Sequence, residues 1–215
     1  MTIRVTALSV GLPKPFNGVE LSAIDKHPVE GPVMIRSFGL EGDMVADTKH
    51  HGGPDLAVHH YSHDHYAGWN DWLGGHELLA RPSAFGENIN AGGLAETQVF
   101  IGDRFRLGGA LLAVSQPRQP CWKIEHRFDR KGMVARIVKE HICGWYYRVL
   151  EEGEAEAGDT LERVEAGASE WSVARLFAKL YDPAHKPTRD ELEAIAQLEP
   201  LSAYLRERAQ QALDR

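Results

Sequence analysis

The sequence predicts a mainly β, α+β protein: a strand-rich body over residues 1–165, then a small three-helix domain over residues 170–215. Three observations lead there. Short apolar runs recur through the first 165 residues and are broken by Gly and Pro, the pattern of many short strands and tight turns. After residue 170 the composition changes, and apolar residues fall at helical spacing. The chain, 215 residues with 43% hydrophobic and 26% charged content, is long enough for a sizeable core.

Residues 3–10 read as the first strand, with neither the basic start nor the long apolar run of a signal peptide. Further strands are expected at 19–24, 33–38, 56–61, 98–101, 104–107, 110–115, 146–150 and 160–164. Ser62 is expected to cap a helix that runs through Tyr66, Trp69, Trp72 and Leu73 and stops at Gly74 and Gly75. A second helix covers 131–141, with Met133, Val134, Ile137 and Val138 inward. Gly102 and Asp103 read as a hairpin turn. The acidic run 151–159, with Gly153 and Gly158, reads as an exposed hairpin or loop. In the tail, Trp171, Leu176, Phe177 and Leu180 mark one helix, Leu192, Ile195 and Leu198 a second, and Leu201, Tyr204, Leu205 and Leu213 a third. Thr188 followed by Glu191 has the spacing of a capping box. The strand-rich body is expected to fold without this tail.

A net charge of -7 argues against a broad nucleic-acid surface. No apolar stretch approaches the ~18 residues of a membrane span. Two cysteines, Cys121 and Cys143, make no disulfide framework, so reduced thiols and a cytoplasmic location are expected.

The stretch 115–123 carries the strongest chemical signal. Cys121 follows Pro117 and Pro120, which stiffen the backbone, and Arg118 and Lys123 flank it. Nearby cations favour a thiolate, the form that attacks sulfur or binds a metal. Packing is the competing role for any free cysteine, and Cys143, in an apolar setting, is assigned to it. Glycines in 39–43 and 49–55 allow sharp bends and close approach to a ligand. With Lys49 and His51 beside Gly52 and Gly53, this segment either grips an anionic ligand or is a tight turn. Six histidines fall between residues 50 and 65, but His59 and His60 are consecutive on a strand and point to opposite faces, so a dedicated zinc site is not expected there. Asn88, in Phe85-Gly86-Glu87-Asn88, either orders a loop or reads a heterocycle edge. No glycine-rich nucleotide fingerprint is present.

Taken in order, Gly39-Leu40-Glu41-Gly42-Asp43, the segment from Lys49 and His51 to His60-Tyr61, Phe85-Gly86-Glu87-Asn88, Gly102-Asp103, and Gln116-Pro117-Arg118 to Cys121 and Lys123 resemble the MOSC domain, the C-terminal domain class of molybdenum cofactor sulfurases. The resemblance covers about residues 1–165, and the helical tail is similar to that of YiiM-like members. It implies a compact, strongly bent β-barrel with helical insertions. It implies a molybdopterin-type cofactor, with Cys121 at the position of the family cysteine that ligates molybdenum or carries sulfur. Lys49, His51, Gly52, Gly53, Arg118 and Lys123 suit the cofactor phosphate, and Asp43, Asn88 and Gln116 its pterin edge. YiiM-like members are similar to amidoxime-reducing enzymes, which implies reduction of small N-hydroxylated compounds such as hydroxylaminopurine. A persulfide carrier of sulfur to a metal centre, or a non-catalytic cofactor-binding module, are the alternatives. No pyridoxal phosphate site and no intrinsic iron–sulfur cluster is expected, since a cluster takes four thiolates and the chain has two cysteines. Electrons would then come from a separate reductase. The tail offers a surface for that reductase or for a homodimer, and the sequence does not choose between them.

Overall fold

The computed structural model describes residues 1–18, 20–46 and 52–214. The first part of the chain is built of short strands: β1 (Thr2–Arg4), β2 (Ala7–Val10), β3 (Lys14–Phe16), β4 (Glu20–Ser22), β5 (His27–Pro28), β6 (Val33–Arg36), β7 (Gly39–Leu40) and β8 (Val58–Ser62). Helix α1 (His65–Leu73) is followed by β9 (Ile89–Ala91), β10 (Arg104–Leu107), β11 (Ala110–Pro117), and the helices α2 (Lys123–Arg127) and α3 (Met133–Glu140). Then come β12 (Trp145–Glu151), β13 (Gly153–Ala155), β14 (Thr160–Glu165) and the tail helices α4 (Val173–Tyr181), α5 (Arg189–Ala196) and α6 (Ala203–Leu213). Among the described residues, no helix is long and apolar enough to cross a membrane.

The main sheet has nine strands in the order β1-β14-β10-β11-β12-β8-β9-β2-β5. Its two ends are neighbours in the chain. β1 pairs with β14 at one end, β2 pairs with β9 near the other, and only Val5 and Thr6 separate them. The Val5 N–H donates to Asp159 O at 2.9 Å and the Thr6 N–H to Asn90 O at 2.9 Å, so the bend is bonded to both sides. The sheet therefore curls back toward its own start, strongly bent as the resemblance implies, although among the described residues its two edge strands do not pair to close it. β10 turns into β11 through Gly108 and Gly109; at Gly108 (φ +54) a Cβ would stand 2.3 Å from Glu154 O, so a side chain there would displace β13.

Alternation on β12 sorts the aromatic residues. Trp145 and Tyr147 are fully buried in the core, where Tyr147 packs 5.8 Å from Phe105, while Tyr146 faces the other side of the strand. Helix α1 closes one flank: Trp69 is fully buried and its Nε1–H donates to Tyr61 Oη at 2.7 Å. Phe85 stacks on Tyr61 at 4.1 Å and meets Phe128 at 5.2 Å. Burying each such ring contributes roughly 1.5–3 kcal/mol.

Local readings differ from the structure at four places, and one is the expected hairpin turn at Gly102 and Asp103, which has no strand before it because β10 pairs with β11 and β14. Ser62 ends β8 instead of capping α1; Asp64 stands at the N-cap, and its carboxylate accepts the Gly93 N–H at 2.7 Å. Residues 98–101 form only a single bridge, Phe100 to Ser172, because the tail rather than a strand lies beside them. The acidic run is not all loop: Glu151 ends β12, and β13 pairs with β6. The capping box is present, with Thr188 and Glu191 each bonded to the other's backbone.

The tail sits on the barrel. Ile101 N–H donates to Trp171 O and Ser202 N–H to Ser115 O, both at 3.0 Å. Val173, Leu176, Phe177, Ile195, Leu201 and Leu205 are fully buried and belong to the same apolar cluster as the barrel interior.

Candidate functional site

Strand β11 runs out at Pro117 and hands the chain to Arg118, whose N–H donates to Gly144 O at 3.0 Å. That bond, with Pro117 and Pro120, fixes the path into α2, and Cys121 falls just before this helix, its C=O accepting the Ile124 N–H at 3.1 Å. Cys121 is half-buried and unpaired with Cys143. Two cavities meet at it. The first, about 130 Å³, is lined by Cys121, Arg118, Lys123, His59, Tyr146 and Asn88, with Lys26, Asp43 and Gly86 behind them. The second, about 510 Å³, is lined by Cys121, Gln116, Tyr146, Tyr181, Ser202 and Tyr204. Gly52, Leu56, Cys121 and Tyr146 border both. The larger space falls within the roughly 300–1,000 Å³ of small-molecule sites.

The polar groups divide into those already engaged and those with capacity left. Asp43 is engaged: Lys26 Nζ pairs with it, and its carboxylate also accepts the Gly11 N–H at 2.8 Å and Asn88 Nδ2–H at 2.7 Å. Asn88 is engaged too, donating to Ser9 O and accepting from His59 N–H, each at 3.0 Å. Glu87, fully buried, accepts Ser83 N–H at 2.8 Å and Phe85 N–H at 3.1 Å and so shapes the loop under the cavity. Gly86 (φ +78) lies against Ile24, where a Cβ would stand 2.9 Å from its side chain.

Arg118 differs: only 8% exposed, it has no ion pair among the described residues. A buried guanidinium without a carboxylate is costly unless an anion joins it. His59 lines the same cavity, stacks on Tyr146 at 5.1 Å, and has a buried Nε2 with no hydrogen-bond partner among the described residues. Burial, and then the Arg118 charge, hold His59 well below the ordinary imidazole range, so it is neutral at pH 7. Burial pushes the Tyr146 phenol up, while charge on Arg118 pulls it down and charge on Cys121 raises it, so all three groups share one field. Lys26 is lowered by burial and held up by Asp43.

The structure brings together Cys121, Asp43, Gly52, Asn88, Arg118 and Lys123 around the first cavity. Lys123 is half-buried at its rim and donates to Leu21 O at 3.4 Å. Gly52, Gly53 and Gln116 line the second cavity, so Gln116 is apart from Asp43 and Asn88. Lys49 and His51 lie outside the described residues. Sequence reasoning missed Lys26, His59, Tyr146, Tyr181 and Tyr204. Tyr146 and His59 had a signal, since each sits between inward residues on an alternating strand; His60, beside His59, goes to the core against Trp145 at 4.4 Å. Tyr181 and Tyr204 had none, because they come from the tail.

The match of the MOSC domain model spans residues 47–162. The uncharacterized protein YflK of Bacillus subtilis is 42% identical over 178 residues, covering 79% of this chain and 78% of that protein. Protein YiiM of Escherichia coli is 44% identical over 144 residues, 66% of this chain and 64% of YiiM. A protein named Reductase from Gibberella moniliformis is 38% identical over 159 residues, and the match spans only 28% of its length. The crystal structure of YiiM from Geobacillus stearothermophilus superposes with a TM-score of 0.82 at 32% identity, covering 98% of this chain and 99% of that one. The chain belongs to the MOSC domain family, as a YiiM-like member.

Proposed function

We propose that this protein binds a molybdopterin-type cofactor through Cys121 and reduces small N-hydroxylated compounds, hydroxylaminopurine-like in kind, with electrons from a separate reductase. The observation that carries the reading is the place of Cys121: its thiol lies where a small cavity, lined by a buried cation with no ion pair among the described residues, meets a larger aromatic one. The residues fit such a cofactor. A thiolate is a suitable soft ligand for molybdenum. Arg118 and Lys123 supply positive charge for its phosphate, and His59 Nε2, which has no hydrogen-bond partner among the described residues, supplies a further polar contact. When bound, the cofactor supplies the two-electron removal of an oxygen atom.

This chain's own residues bind and orient. Tyr181 and Tyr204 give the larger cavity aromatic walls suited to a flat heterocycle, and Gln116 and Ser202 give it hydrogen-bonding groups. Reducing R–NHOH to R–NH2 takes up two electrons and two protons and releases water. Tyr146, which borders both cavities, keeps its phenolic proton because burial raises it, and is a proton-bearing group at the junction. The relative named Reductase supports a redox role.

The test is turnover of hydroxylaminopurine by protein purified from cells with an intact cofactor pathway, with a reduced viologen dye as donor. Wild type should consume it and Cys121→Ser should not. Tyr204→Ala should raise KM about fivefold with kcat little changed, the ~1 kcal/mol of an aromatic contact. A persulfide on Cys121 without turnover would favour the sulfur-carrier reading, and neither would favour a non-catalytic module.

A further inference from the structure

Outside the lining of both cavities, three side chains from different elements converge. His141 Nε2 lies 2.9 Å from Asp182 Oδ2, and His185 Nδ1 lies 2.9 Å from the same oxygen. All three ligand atoms lie within 4.8 Å of one another. The backbone is arranged to hold them there. His141 follows α3 in the left-handed region at φ 56, a position where helices ordinarily end in glycine and a β-carbon is disfavoured. Asp182 ends α4 and caps the following 3-10 turn, Pro183–His185, by accepting the Ala184 N–H at 2.9 Å on Oδ1; this leaves Oδ2 facing both imidazoles. Pro183 stiffens that turn and sets the direction of His185.

We infer that His141, Asp182 and His185 form a binding site for one divalent transition-metal ion of the zinc class, separate from Cys121. Two imidazoles and one carboxylate are borderline donors of the kind zinc accepts, with Zn–N and Zn–O distances of about 2.0–2.2 Å. Two of the three donor pairs already stand as close as ligands on one ion, and the His185 side chain, 54% exposed, can rotate to complete the set. That exposed side leaves a fourth position open to water. The site joins the end of α3, on the barrel, to the end of α4, in the tail. Asp182 directly follows Tyr181, so a metal there fixes the wall of the larger cavity. The inference does not depend on the identity of the Cys121 cofactor.

The experiment is a zinc titration of the chelator-stripped full chain against a chromophoric zinc chelator, with thermal unfolding in parallel. Wild type and Cys121→Ser are expected to bind one zinc per chain with the same competition curve and to unfold at higher temperature with zinc. His185→Gln, on an exposed turn, and His141→Asn, which keeps a residue tolerant of the left-handed region, should bind at least tenfold more weakly and lose the thermal shift. Circular dichroism of the variants without zinc checks that they fold. Zinc binding that is lost in Cys121→Ser but kept in His185→Gln, or wild-type binding no tighter than that of His185→Gln, would overturn the assignment.

Discussion

Cys121 draws its chemistry from its neighbours. Arg118 is buried and lacks an ion pair among the described residues, whereas Lys123 is only half-buried and already donates to Leu21 O. The two cations are therefore unequal. Arg118→Gln is expected to lower cofactor retention at least tenfold, as loss of a buried charge partner does, and Lys123→Gln by less than threefold. Cofactor remaining after gel filtration measures both; equal losses would put the anion at the rim. The chemistry of 115–123 was legible because it is local: prolines, cations and thiol lie within nine residues. The roles of Asp43 and Asn88 were not. Asp43 is saturated by Lys26 and Gly11, which the fold brings from 17 and 32 residues away, and no spacing rule announces such partners.

At the scale of elements the same division holds. The capping box at Thr188 and the apolar face of α1 are local, and both could be read directly. β9 could not: three residues long, it exists through parallel pairing with β8 and antiparallel pairing with β2. α2 is a five-residue helix that tertiary contacts set in place. The tail is the instructive case. Its period marks three helices, yet period alone does not say that Val173, Leu176 and Phe177 of α4 are buried together with the barrel interior. Removing 170–215 would expose that surface and take Tyr181 and Tyr204 from the second cavity. We therefore expect the truncated chain to unfold at markedly lower urea and to bind the dye ANS. A truncated chain with a cooperative transition at the full-length midpoint would show instead that the barrel holds by itself.

Over the whole molecule, the bend at Val5 and Thr6 carries the N-terminal segment from one edge of the sheet toward the other, and residues of β8 divide between core and cavity. Burial holds His60 down to about 3, and His59 well below its usual value. Folded-state values below the unfolded ~6.5 have a definite sign. The unfolded chain gains protons as pH falls through 6.5 and the native state does not, so the stability these groups contribute is present above pH 6.5 and lost toward pH 3. Each contributes a loss of about 1.4 kcal/mol per pH unit below 6.5, or about 2–3 kcal/mol for the pair between pH 7.5 and 5.5. Urea midpoints at the two pH values measure it, and His60→Gln should remove about half of the drop. A midpoint independent of pH over this range would mean that both imidazoles take up protons in the native state as readily as in the unfolded chain.

The proposed role of Cys121 is to hold a molybdenum cofactor at the junction of two cavities. Its most direct test is the molybdenum and pterin content per chain, for protein made in cells with an intact cofactor pathway. Near-stoichiometric molybdenum and pterin are expected in wild type and in Cys143→Ser, with molybdenum absent from Cys121→Ser. Wild type free of both, or a Cys121→Ser protein that retains molybdenum at the wild-type level, would contradict it.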